Sequence, residues 1–117
     1  MIVFLTTDLM MSSNAEAHAR QKSVKIKTTT SAELAVEIIQ ENRPHVFLID
    51  LQTPGLVIDQ LGEMIKELAD SVCPLTIAYA QHVNVELLDA GKTAGFDQVL
   101  TRGQLNSQIS QIVADAV

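Results

Sequence analysis

The chain has 117 residues, 47% of them hydrophobic, and fourteen acidic residues against eight lysines and arginines leave a formal charge of −6. That length suits one compact core and is short for two, so residues 1–117 are expected to form a single domain, and the charge, without any basic run, argues against nucleic acid as a partner. Three Phe, one Tyr and no Trp leave little to stack a flat cofactor, the lone Cys73 makes no internal disulfide, and Thr6, Thr7 and Asp8 interrupt the apolar start, which implies a soluble, cytoplasmic protein without a membrane segment.

Five short apolar runs alternate with helical patterns along the chain: IVFLT at 2–6, VKIKT at 24–28, HVFLID at 45–50, LTIAY at 75–79 and QVLT at 98–101. This is a strand–helix alternation repeated five times. The first intervening helix, 8–21, has the weakest pattern, with Met10 and Met11 expected on its core and surface sides. Thr30 and Glu33 can form a capping box for the second, whose face is Leu34, Ile38 and Ile39 and whose stop is Pro44. The third has Ile58, Leu61, Ile65, Leu68 and Val72 on one face, Gly95 closes the fourth, and Leu105, Ile109, Ile112 and Ala116 line the fifth.

Strand character orders the sheet. A strand covered on both faces reads as a continuous apolar run, as the first and third do, whereas Val24–Lys25–Ile26–Lys27 alternates like an edge strand. The order 2-1-3-4-5 of a three-layer, doubly wound parallel α/β sheet follows, with its crevice at the carboxyl ends of strands 1 and 3. Asp8 ends the first and Asp50 the third, so two carboxylates meet at the rim where such sheets bind ligands. They repel unless a cation or a proton intervenes. Mg2+ suits Asp8, Asp50 and the backbone carbonyl of Gln52; the plainer alternative is that the two acids only cap the elements that follow.

At these residues the chain resembles the receiver domains of two-component response regulators (CheY-like), a flavodoxin-like architecture, over nearly its whole length. "DLQTPG" is similar to the family's Asp-x-x-x-Pro-Gly stretch, and "AGFDQVLTRGQL" to its Ala-Gly-Ala-Asp-x-hydrophobic-Leu-x-Lys-Pro stretch. The resemblance implies Asp50 as phosphoacceptor, Asp8 as metal-binding acid, and Arg102 at the position of the family's lysine. The departures are Thr7 where the family has a first acid, Tyr79 or Ala80 at the switch Ser/Thr, Val99 at the switch aromatic, Gly103 for the proline after the lysine, and Ile58 for a glycine. Arginine keeps the charge but is a larger planar fork, so Arg102 either clamps a phosphate or pairs with Asp50 or Asp8 and occupies the site.

The function these residues imply is a divergent or pseudo-receiver: a regulatory protein-interaction module, not an enzyme, with weak or absent phosphorylation switching and weak Mg2+ binding. Its partner is expected to be a histidine kinase or other signalling protein, and a homodimer is expected to form through residues 84–117, where Gln104, Asn106, Ser107, Gln108 and Gln111 present few charges. A conventional phosphoacceptor receiver using Asp50 and Mg2+ is the alternative. A flavodoxin-like small-ligand binder is the third, disfavoured because "TTDLMMSSN" lacks the glycine a phosphate loop needs. His82 is expected as a solvated residue of the same rim, Cys73 as a core-edge residue, Ser12 and Ser13 have no base partner, and His18 and His45 are too scattered for a metal cluster.

Overall fold

A computed structural model describes all of residues 1–117. Its elements in chain order are β1 (Ile2–Leu5), α1 (Leu9–Lys22), β2 (Ile26–Thr29), α2 (Ala32–Asn42), β3 (Val46–Asp50), α3 (Ile58–Lys66), β4 (Leu75–Ala80), α4 (Val85–Thr93), β5 (Gln98–Thr101) and α5 (Arg102–Asp115). The strands form one parallel sheet in the order β2-β1-β3-β4-β5, as their apolar patterns predict. β1 and β3 are buried along their whole length, while β2 at the edge is exposed at Lys27 and Thr28.

Side chains alternate across the sheet, so each central strand feeds two cores. Ile2, Phe4, Val46, Leu48, Ile77 and Tyr79 pack with α1 and α5. Val3, Leu5, Phe47, Ile49, Ala78 and Ala80 pack with α2, α3 and α4 on the other side. The α1 seam is small: Met11, Ala15 and Ala19 recur every fourth residue with Ser12 beside them. Small side chains carry little hydrophobic contrast, which is why this helix is faint in the sequence.

Several local expectations are corrected. β2 runs from Ile26 to Thr29, because Ile26 pairs opposite Ile2. The cap of α2 is Ser31, not Thr30; its hydroxyl accepts from Leu34 N–H at 3.2 Å. The buried face of α2 is Ala35, Val36 and Ile39, while Leu34 is exposed, and the helix ends on Arg43 in a left-handed conformation before Pro44 is reached. α3 stops at Lys66, so Leu68 and Val72 reach the core from the segment beyond it. Cys73 is exposed. Gly95 follows α4 at φ +89°, as a C-terminal stop requires, whereas the expected order of the two methionines is reversed: Met11 is buried and Met10 is exposed. No helix is long and apolar enough to cross a membrane.

Candidate functional site

Register determines which groups meet. Leu5 pairs with Ile49 and Asp50 with Tyr79, so Thr6, Asp50 and Tyr79 form a row across β1, β3 and β4, and alternation points all three to the α1/α5 side. Asp8 follows two residues after Thr6 as the N-cap of α1, accepting from Met11 N–H at 3.1 Å. Arg102 opens α5 directly after β5. Thr7, Asp8, Asp50, Gln52, Tyr79, Gln81 and Arg102 line an open cleft of about 260 Å³ at the carboxyl edge.

The polar groups of the cleft are joined in series. Thr6 Oγ1 donates to Asp50 Oδ2 at 2.7 Å and lies 3.3 Å from the Tyr79 hydroxyl, which donates to Asp8 Oδ2 at 3.2 Å. Arg102 then closes a fork on Asp8, Nε to Oδ2 at 2.8 Å and Nη2 to Oδ1 at 3.1 Å. The second Asp50 oxygen, Oδ1, accepts from Gln52 N–H at 2.9 Å, and the Gln52 side chain accepts from Gln81 N–H at 2.9 Å. Thr53 ties the turn to the end of β3 by donating its hydroxyl to the Asp50 carbonyl at 2.7 Å. Gly55, at φ +79° after Pro54, supplies the left-handed residue of that turn.

These contacts set the ionisation of the site. The hydrogen bonds from Arg102 hold the Asp8 carboxyl below the ordinary carboxylate range against the opposing effect of burial, and Asp8 in turn raises Arg102 further. Burial pushes the Tyr79 phenol far above its ordinary value, and the nearby Asp50 and Asp8 charges push in the same direction. Tyr79 is therefore a neutral hydroxyl at any physiological pH.

The sequence placed Asp8, Asp50, Gln52, Arg102 and Thr7 at one rim, and all five line the cleft. Of the two candidates for the switch position, Tyr79 faces the cleft side, whereas Ala80 is buried in the opposite layer with Val99 packed beside it. Tyr79 is not the small hydroxyl residue of the family, yet it brings a phenolic hydroxyl to the site, on a ring wedged edge-on against Phe4 at 6.1 Å and only 1% exposed. Arg102 takes Asp8 and not Asp50. His82 lies one residue past the cleft wall. Thr6 and Gln81 are absent from the sequence-based set; Thr6 had one signal, a polar residue ending an apolar strand next to Asp50. A second polar cluster sits at the other end of β4, where Asp97 Oδ2 accepts from Thr76 N–H (2.8 Å) and hydroxyl (3.0 Å) and Asp97 N–H donates to the same hydroxyl (2.9 Å).

No protein-family model and no curated protein matches the sequence. Solved structures match its fold from end to end. The receiver domain of a sensor histidine kinase from Pseudomonas aeruginosa, described with a magnesium ion in its active-site cleft, aligns with a TM-score of 0.79 at 16% identity, covering 98% of this chain and 94% of that one. A signal receiver domain from Bermanella marisrubri gives 0.79 at 16% identity over 98% and 95%. A chemotaxis response regulator of Vibrio cholerae gives 0.77 at 10% identity over 99% and 97%. The chain thus has the fold of CheY-like response-regulator receiver domains, with the five-stranded 2-1-3-4-5 sheet of flavodoxin-like proteins.

Proposed function

We propose that this chain is a pseudo-receiver: a signalling module that acts by protein–protein contact, not catalysis, with the polar groups of its phosphorylation cleft engaged by one another. The observation that carries this is the hydrogen-bonded series Asp50–Thr6–Tyr79–Asp8–Arg102. Phosphorylation of a carboxylate requires a free attacking oxygen, a metal beside it and a mobile cation for the transferred group. Here each Asp50 oxygen accepts one hydrogen bond and keeps a lone pair, but both Asp8 oxygens are taken by Arg102 and Arg102 is committed to Asp8, so the metal-binding acid and the cation are both engaged.

The same geometry disfavours Mg2+. The ion needs about six oxygen ligands at ~2.0–2.1 Å with one or two carboxylates among them. The carboxylates at this cleft are Asp8 and Asp50; Arg102 already holds both oxygens of Asp8, so entry of Mg2+ requires expulsion of one cation by another. Asp8, Asp50 and the Gln52 carbonyl would hold the ion, but with Arg102 on Asp8 weak binding is expected.

The second reading is a conventional phosphoacceptor, with Asp50 phosphorylated by a histidine kinase in the presence of Mg2+. The open cleft with Asp8, Asp50 and Gln52 on its walls favours it. Amide spectra recorded during titration with Mg2+ and beryllofluoride separate the two. The pseudo-receiver predicts small changes confined to the cleft; widespread shifts through residues 80 to 105 would refute it.

Cytoplasmic signalling proteins are the expected partners. Self-association through α4, β5 and α5, residues 84–117, is supported by the exposed, uncharged Gln104, Asn106, Gln108 and Gln111. Sedimentation of wild type against Gln108→Glu/Gln111→Glu tests it: a wild-type monomer at high concentration, or equal association by the variant, removes that interface.

A further inference from the structure

Residues at i, i+3, i+4 and i+7 of a helix share one face, and on a helix laid against a sheet the covering face is ordinarily apolar. In α5 one such stripe is Gln108, Gln111, Ile112 and Asp115, and only Ile112 is buried. The sheet beneath shows the same lack of cover. Leu75 lies two residues before Ile77 and four before Tyr79, so all three point to the α1/α5 side, yet Leu75 is 42% exposed where the other two are 1% exposed. Gln98 shares a face with Leu100, which packs against that same core, and lies opposite Ile77.

Between the two is a cavity of about 190 Å³. Val46, Leu75 and Gln98 in its wall are the first residues of β3, β4 and β5, so it opens at the amino edge of the sheet, away from Asp50. The packing of α5 accounts for it. Leu105, Ile109, Val113 and Ala116 join Met11 and Ala15 of α1 in one core, which draws α5 towards α1 and leaves its polar stripe standing over β4 and β5. The apolar wall is Val46, Leu75, Ile77 and Ile112; the polar wall is the carboxamides of Gln98, Gln108 and Gln111, with Asp115 at the end of α5.

The chemistry of these walls selects an occupant. The side chains of Gln98 and Gln108 make no hydrogen bond within the protein, and that of Gln111 uses only Nε2, which donates to Asp115 Oδ1 at 2.8 Å. A free carboxamide offers a donor and an acceptor side by side, and the group that satisfies both is another amide-type pair. No cation lines the cavity, and its one carboxylate is shared with Gln111, so a charged head group gives up its water for no free counter-charge. The volume lies below the ~300–1,000 Å³ of pockets that hold drug-sized ligands, which suits a molecule of one ring or a short chain.

We propose that this cavity binds a small uncharged ligand with an apolar body, resting on Leu75 and Ile77, and an amide-type head held by Gln98 and Gln108. The site is independent of whether Asp50 accepts a phosphoryl group. Gln108 and Gln111 also stand on the α4–β5–α5 surface, so the ligand and a second copy of the chain compete for them.

Benzamide is the probe, titrated into the whole chain and followed by amide spectra, with benzoate, benzylamine and toluene as anionic, cationic and purely apolar counterparts. Saturable shifts are expected at residues 46, 75–77, 98 and 108–115, with a Kd in the millimolar range usual for a ligand of so few atoms. Benzamide should bind at least about fivefold more tightly than each counterpart, the value of one well-made hydrogen bond. Leu75→Ser and Gln98→Ala, at exposed positions outside α5, should each weaken it by a similar factor while keeping the wild-type melting temperature; if Leu75→Ser lowers that temperature, Gln108→Ala takes its place with the same expected loss. No saturable binding, shifts confined to other parts of the chain, equal binding by a counterpart, or undiminished binding by the variants overturns the proposal. So does sedimentation showing that the chain associates through Leu75 and Gln98 and that benzamide leaves this association unchanged, which assigns the corner to a second copy.

Discussion

Replacing Arg102 with Met keeps most of the aliphatic stem and removes the guanidinium, so the loss reports on its fork to Asp8. The Asp8 side chain is 19% exposed and that of Arg102 is 36% exposed, which places the pair between two limits. Fully exposed pairs contribute ~0.2–1 kcal/mol, and breaking a buried pair costs ~3–5 kcal/mol. After the substitution Asp8 keeps its bonds from Met11 N–H and the Tyr79 hydroxyl, and water reaches it through the open cleft. The expected cost is therefore about 1–2 kcal/mol, nearer the exposed limit because of solvent screening. For a chain of this size that corresponds to a fall of about 4–8 °C in Tm. Circular dichroism melts of wild type, Arg102→Met, Asp8→Asn and the double variant close a thermodynamic cycle with a coupling of about 1 kcal/mol. An unchanged Tm in Arg102→Met, or a coupling of zero, would falsify the contact as a stabilising one. Millimolar Mg2+ should raise the Tm of Arg102→Met more than that of wild type, since only the variant leaves both carboxylates without a cation.

Three further outcomes are expected. The Asp8 carboxyl is held low chiefly by its hydrogen bonds from Arg102, so its contribution is complete above the unfolded value of about 3.9 and is lost as pH falls through the lower folded value; the stability gap between wild type and Arg102→Met should narrow in acid, and a gap independent of pH contradicts the pairing. Tyr79 is the only tyrosine, and its raised folded pKa makes its contribution complete below about 10 and lost as pH rises towards the folded value; phenolate absorbance should appear only with alkaline unfolding, and Tyr79→Phe should cost about 1 kcal/mol in urea denaturation. Asp97→Ala leaves the N–H and hydroxyl of Thr76, a residue 2% exposed, without their partner; a loss of about 2 kcal/mol is expected in the same assay, and a neutral result shows that water replaces the carboxylate.

Much of the architecture was legible before any coordinates. Continuous apolar runs at 2–5 and 46–50 mark central strands, the alternation around Ile26 marks an edge, and right-handed parallel winding then brings Asp8 and Asp50 to one crevice. These signals survive because they depend on burial of whole segments, which a single sequence records as hydrophobic pattern. The helix α1 was faint because its seam is Met11, Ala15 and Ala19, where close packing takes the place of hydrophobic contrast. The pattern that puts Leu34 in the core and Thr30 at the cap differs from the structure by one or two residues at the start of α2, and sequence alone places helix ends no better than that.

The chemistry of the cleft was decided only by tertiary structure. Sequence alone supplied two acids, an arginine and an unplaced tyrosine. That Tyr79 and not Ala80 faces the acids follows from its register opposite Asp50, and that Thr6 holds Asp50 follows from Leu5 lying opposite Ile49. Arg102 has two carboxylates in its neighbourhood and forks onto Asp8, because the start of α5 and the N-cap of α1 hold the guanidinium plane and that carboxylate in line. Hydrophobic periodicity acts within one segment at a time and so can be read from it. Hydrogen-bond partners separated by 44, 71 or 94 residues are chosen by distances and angles of a few tenths of an ångström, which exist only once the strands and helices have packed.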